Sequence, residues 1–314
     1  LDDAGLAEAP VWPLSLAGPT EGPGLTIGRS GWRRVLLGLL TGDMLQRLLL
    51  GARPYERRPG EVQACFDKWA ALSEAAVAAG DRRAFDRNVA GMTEEFASLD
   101  LAPPTKPKVG VVGEILINFH PEANNQAVAL VEGEGGQAVL PELTDFFLYC
   151  LYDEVYRCDH LAGARLTKWL NSWLIGFIEK HRAPMRQALE RHPRFGHLNA
   201  FDELRQAGAS LVSLGNQSGE GWYLAADMAL MLQKGVSNIL CLQPFGCLPN
   251  HITGKGVVKE LKRRFPEANL AAVDYDPGVS EVNQLNRIKL MMSVARTASD
   301  GVQLGPAELR RQVG

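Results

Sequence analysis

The chain has 314 residues, a formal net charge of -3 and 46% apolar residues, more than one average domain needs and enough to bury two cores and an accessory segment. A pI near 6.1 with scattered basic residues excludes a general nucleic-acid or membrane-surface binder. No apolar run reaches the roughly 18 residues of a membrane span, and Leu1-Asp2-Asp3-Ala4-Gly5 lacks the basic and apolar regions of a signal peptide. The chain reads as cytosolic, and its start at Leu in place of Met reads as a piece of something longer. Five cysteines, Cys65, Cys150, Cys158, Cys241 and Cys247, form an odd set without Cys-x-x-Cys. That argues against a disulfide framework or a local zinc ribbon, so a metal centre must collect thiolates from distant segments.

Residues 1–30 are rich in Gly and Pro without periodicity and read as a linker or frayed edge. Residues 31–104 read as a helical segment with three apolar stripes, led by Leu37 and Leu40, by Val62 and Cys65, and by Phe85 and Val89. Pro54 ends the first helix. Cys65 lies on a stripe and reads as a packed core thiol. Pro103-Pro104-Thr105-Lys106-Pro107 is a stiff boundary.

Residues 105–205 read as a first α/β unit with a helical extension: a strand over 108–112, a loop carrying His120, Glu122 and Asn125, a helix over 126–133 and a strand over 137–140. The loop is either an active-site lip or a plain helix cap by Asn124 or Asn125. Residues 142–191 are largely helical, and His160, His181, His192 and His197 show no metal spacing.

Residues 206–314 read as a second α/β unit. A short strand over 209–214 leads into the glycine-rich loop 215–221 and a helix over 222–234; the spacing matches neither a P-loop nor a dinucleotide fingerprint. Glu220 either caps that helix or faces a ligand. The apolar run 236–242 reads as a buried parallel strand, followed by Gln243-Pro244-Phe245-Gly246-Cys247-Leu248-Pro249-Asn250-His251 and a helix over 254–265. A further strand over 269–273 ends in Asp274-Tyr275-Asp276-Pro277-Gly278. The predicted fold is thus α/β, two Rossmann-like parallel-sheet units preceded by a helical segment. The loops at 113–125, 215–221, 243–251 and 274–283 all follow strands and are expected to gather on the carboxyl edge, where open α/β sheets bind ligands. Cys247 is either a site thiol or a buried small hydrophobe in a rigid connection.

Gly219-Glu220-Gly221-Trp222, the nonapeptide 243–251, Asp274-Tyr275-Asp276-Pro277-Gly278 and Ser280-Glu281-Val282-Asn283-Gln284-Leu285-Asn286-Arg287 together resemble the 2-hydroxyacyl-CoA dehydratase and benzoyl-CoA reductase superfamily. The nearest pattern is its fused, activase-related branch. The resemblance covers about 42–292 and lacks the part that carries the activator and the first dehydratase segment. It implies an oxygen-sensitive [4Fe-4S] cluster held by three cysteines, with one iron open to substrate. Cys247 matches the Pro-Phe-Gly-Cys position, and Cys150 and Cys241 match the branch pattern, although Cys241 lies in a run read as a strand and has a core position as its alternative. It implies radical dehydration or reduction of an acyl-CoA thioester after ATP-driven one-electron activation, with His251, Asn250, His120 and Glu220 as candidate catalytic residues. The implied partners are an acyl-CoA-type substrate and an ATP-dependent activator domain, with room for a dimer. A non-catalytic electron-relay or cluster-carrier module is the alternative. A hydrolase-like binder lacks its Ser-His-Asp elbow motif.

Overall fold

The computed structural model describes residues 28–275, 278 and 280–299. Three helices, α1 (Arg29–Ala52), α2 (Glu61–Ala79) and α3 (Arg82–Ser98), form where the apolar stripes recur every three to four residues. Leu37, Leu40, Met44 and Leu48 of α1 are fully buried against Val62, Phe85, Val89 and Phe96. Arg53–Tyr55 turns more tightly after α1 because Pro54 cannot continue the helical ladder. The Asp81 carboxylate starts α3 by accepting the Arg83 and Ala84 amides at 2.8 and 3.1 Å. Ser30–Tyr55 is long and apolar enough to cross a membrane by length and composition, which corrects the expectation that no segment is; 56% of its most apolar window is buried in the protein. The run escapes notice because polar residues interrupt it.

The α/β part follows: β1 (Lys108–Gly113), α4 (Ile115–Phe119), α5 (Ala127–Gly133), β2 (Gln137–Val139), α6 (Leu143–His160), α7 (Arg165–Glu190), α8 (Phe201–Ala209), α9 (Gly221–Gln233), β3 (Asn238–Pro244), α10 (Val258–Arg264), β4 (Asn269–Tyr275) and α11 (Glu281–Ser299). The strands form one parallel sheet in the order β2-β1-β3-β4. Parallel pairing is as expected from the continuous apolar runs. Separate sheets for the two halves are not seen; β1 and β3 join them. Strand parity sorts the layers. Val112, Ile239 and Cys241 pack under α6, α8 and α9, whereas Val109, Val111, Leu240, Leu242 and Val273 pack under α5 and α11.

The strand expected over 209–214 is absent. Ala209 ends α8, and the Ser210, Leu211 and Val212 amides bond back to the carbonyls of Gln206 and Gly208, so those donors are not free for a ladder. A short apolar run does not distinguish the two outcomes. The loop 215–221 therefore follows a helix and a turn instead of a strand.

Buried charge ties the helical segment to the sheet. The Asp43 carboxylate of α1 accepts the Leu143 and Thr144 amides at 2.9 and 3.0 Å and the Thr144 hydroxyl, capping α6 from a distant element. Arg47 holds Glu142, with Nε to Oε1 at 2.7 Å. Arg182, fully enclosed, meets Asp145 at 2.8 Å and Glu179 at 2.7 Å. Burial first, and then the Glu142 charge, pushes Asp43 up to about 6, and burial pushes Asp145 up to about 7.

Two expectations follow from this framework. An Ala side chain at Gly113 would set its Cβ 1.9 Å from the Leu242 carbonyl oxygen, so Gly113→Ala is expected to lower urea-unfolding stability by about 2–4 kcal/mol. Because the folded pKa of Asp43 lies above its ordinary value of 3.8, the folded state binds the extra proton between about pH 4 and 6, and stability falls as pH rises through that window. Wild type should lose up to about 3 kcal/mol relative to Asp43→Asn between pH 4 and pH 8; a constant difference across that range would contradict the assignment.

Candidate functional site

The chain leaves β1 toward β2 on one side and β3 toward β4 on the other, so the carboxyl ends of β1 and β3 flank a topological switch point. Gly113 allows β1 to end against β3, and the Glu114 amide donates to the Leu242 carbonyl at 3.1 Å. Glu114 then caps α4, accepting the Ile117 amide at 2.9 Å. The four loops gather around this point. Glu220 accepts the Ile115 amide at 3.2 Å. A Cβ at Gly219 would stand 2.9 Å from Pro249, and Asn125 donates to Gln284 at 2.8 Å. Gln243 donates to Asp274, and Lys255 reaches the same carboxylate at 2.9 Å.

Cys247 sits half-buried on the loop after β3. Its Sγ accepts the Asn250 side-chain amide at 3.3 Å. Asn250 is fully buried and begins a single π-helical turn, Asn250–Gly254, a local widening that frequently marks functional positions. Among the described residues the Asn250 Oδ1 and Gln243 Oε1 atoms are buried without partners, in side chains that are 0% exposed. The Gln243 amide also touches His251 Nδ1 at 3.5 Å, and the His251 backbone amide bonds to the Cys247 carbonyl. Outside the thiol, Phe245, Leu248 and Ile252 are exposed. A packed, wholly apolar environment for Cys247 is thereby excluded.

Glu220 is buried at the start of α9, and burial raises its pKa, with its own and the Ile115 amides pulling the other way. It joins two loops by accepting a backbone amide and is not turned to solvent. His120 is exposed at the end of α4. Asn124 caps α5 by accepting the Ala127 amide at 3.0 Å, the plain-cap alternative for that residue. Tyr275 ends β4 beside Pro244, and its carbonyl accepts the Phe245 amide at 3.2 Å, which places the two loops together as expected. Asp276 lies outside the described residues. Gln243, Lys255 and Asp274 are the site residues that sequence reasoning passed over as candidates. Asp274 stood in a quoted motif, but its tie to Lys255 is a tertiary contact with no local signal.

The cysteines test the cluster. Cys241 points from β3 into the α9 layer, is buried, and is pushed up to about 12 by that burial. Cys150 packs against the same core, where burial and then Asp153 push it up to about 11. Thiolates are the ligating form, and among the described residues no three His, Cys, Asp or Glu side chains gather to hold a metal ion. Of the three, Cys241 is enclosed, whereas Cys150 and Cys247 are each half-buried, Cys150 against the α9 core and Cys247 on the loop at the switch point.

Comparison with known proteins gives no matching family model, no matching curated protein and no matching solved structure. The resemblance rests on the quoted motif residues.

Alkylation of the native protein by iodoacetamide at pH 8, read by peptide mass spectrometry, should modify Cys247 well before Cys65, Cys150 and Cys241. Burial leads the causes that push Cys65 up to about 11, so these three thiols have about a thousandth or less of their population ionised at that pH. Equal labelling of Cys241 and Cys247 would contradict the placement of the two thiols.

Proposed function

We propose that the chain is an iron-sulfur component resembling the 2-hydroxyacyl-CoA dehydratases, in which Cys247 supplies one thiolate at the switch point and the remaining ligands come from outside the described residues. The observation that supports this is a half-buried thiol at the carboxyl edge of a parallel sheet, held by a fully buried amide with an unsatisfied oxygen. A cluster held there would supply, as the resemblance implies, one-electron chemistry toward an acyl-CoA thioester, with the ATP-dependent activator assigned to the same full-length cytoplasmic polypeptide. The halves β1–β2 and β3–β4 are taken as two Rossmann-like units fused through one sheet. Phe245, Leu248 and Ile252 offer an apolar approach to the thiol for the acyl group; the side-chain amide of Asn250 donates to the Cys247 sulfur and the backbone amide of His251 to its carbonyl, while the His251 ring lies against Gln243.

The incomplete ligand set favours one second reading, a non-catalytic module that carries or relays through a cluster completed by another chain segment. Turnover with a panel of acyl-CoA thioesters separates the two.

Anaerobic purification of the full-length protein, followed by iron and sulfide analysis, tests both readings. Cys247→Ser is expected to remove most of the iron while circular dichroism stays unchanged, since a loop position carries little packing energy. Cys65→Ser, in the helical core, should leave the iron in place. Absence of iron from the wild type, or full iron in Cys247→Ser, defeats the proposal.

A further inference from the structure

The first half of α7 leaves one face of the helix uncovered. Ile175 and Ile178 pack against the core that holds α9, and Arg182, Met185 and Leu189 are buried further along. On the opposite side of the helix, Leu166, Trp169, Leu170, Trp173 and Phe177 are between 37 and 72% exposed. The Trp173 and Phe177 rings stack with centroids 5.2 Å apart and so form one flat aromatic surface. Lys168 carries the one charge between 166 and 177, and it is paired with Asp159.

The area is that of one half of a protein interface. At roughly 200 Å² for a large side chain fully exposed, the five residues show about 500 Å² of apolar surface, near the upper end of the largest patch, about 300–600 Å², on a typical monomer. One side of a standard interface buries about 800 Å², of which about 60% is apolar, so the stripe supplies the apolar share that one copy brings to a stable dimer.

The spacing indicates what covers it. Leu166, Leu170, Trp173 and Phe177 stand four, three and four residues apart, a set of steps that reads the same in both directions. A second α7 laid antiparallel about a two-fold axis between 171 and 172 therefore sets Leu166 of each copy against Phe177 of the other, and Leu170 against Trp173. Each layer joins an aliphatic side chain to an aromatic ring, and neither layer meets a charge. A parallel copy in the same register would instead set ring on ring and leucine on leucine. Along one flank of the antiparallel pair, Trp169 of each copy comes across from Gly176 of the other. Nothing lies within 4 Å of a Cβ built at Gly176, so packing inside this chain does not call for a glycine there. A glycine in mid-helix is unfavourable relative to alanine, and here it leaves a notch beside the aromatic stripe.

We propose that this stripe is a homodimer interface, in which two copies of the chain pack α7 against α7, antiparallel, with Trp169 of each copy seated at Gly176 of the other. The proposal is independent of the thiol edge and of the cluster.

Sedimentation equilibrium of the full-length protein over a micromolar concentration series tests it, with circular dichroism as the check on folding. Wild type is expected to show a reversible monomer–dimer equilibrium. Trp173→Glu, at an exposed position, should raise the dimer dissociation constant tenfold or more with an unchanged spectrum. Gly176→Leu should do the same by filling the notch, although leucine is the better helix former and leaves the monomer at least as helical. Leu166→Lys and Phe177→Glu should each weaken the dimer. Combined in one chain, they set opposite charges against each other across an antiparallel pair, and the double variant should dimerise more tightly than either parent. The proposal is overturned if wild type stays monomeric, including a monomer that binds phosphatidylglycerol vesicles or another protein instead. It is also overturned if either Trp173→Glu or Gly176→Leu dimerises as tightly as wild type, or if the double variant is no tighter than its parents.

Discussion

The closeness of β1 to β3 at one residue governs this structure. A Cβ at Gly113 would fall 1.9 Å from the Leu242 carbonyl oxygen, and that carbonyl accepts the next amide of the chain, from Glu114. Because no side chain intervenes, the two strands run side by side to their ends and two β-α-β halves become one sheet. The chain departs from these two ends in opposite directions, which opens a crevice where backbone groups and loop side chains meet. The contacts of Glu220 on Ile115 and of Gln243 on Asp274 are made by residues within a few positions of that junction or carried to it by α9 and β4.

Above this junction the backbone is held mainly by buried amides and one ion pair. Asn250 and Gln243 are wholly enclosed yet, among the described residues, leave an oxygen each without a donor. Unsatisfied buried acceptors of this kind carry a penalty of about 1–3 kcal/mol each. Such a penalty persists where it serves a ligand or a conformational state and is otherwise removed by an apolar substitute of like shape. The π-helical turn at Asn250–Gly254 has the same character, a local departure from regular helix beside a thiol.

Helices were readable from the sequence because their apolar stripes carry the period of the helix; Leu37, Leu40, Met44 and Leu48 show it, and so do Phe85, Val89 and Phe96. The four strands were readable as continuous apolar runs, and their parallel pairing follows from burial on both faces. The same burial hid the direction of Cys241. In Ile239-Leu240-Cys241-Leu242 both faces are apolar, so the pattern does not say which residues look toward α9, and the ladder decides it. The union of two halves in one sheet is likewise a fact of long-range strand order. The 209–214 segment was misread because Leu211, Val212 and Leu214 do pack on the core, but from a turn whose amides close the end of α8.

Helix α9 carries two buried acids, one at its start and one at its middle. It is apolar on nearly every side, the signature of a helix enclosed by protein. Glu220 stands at its start and Asp227 seven residues later, about 10 Å along the axis. Burial raises the pKa of both. Their partners differ: Glu220 accepts the Ile115 amide and so ties two loops together, whereas Asp227 has the Tyr223 hydroxyl beside it. An acid satisfied by backbone is accounted for by the fold itself, because removing it would orphan an amide.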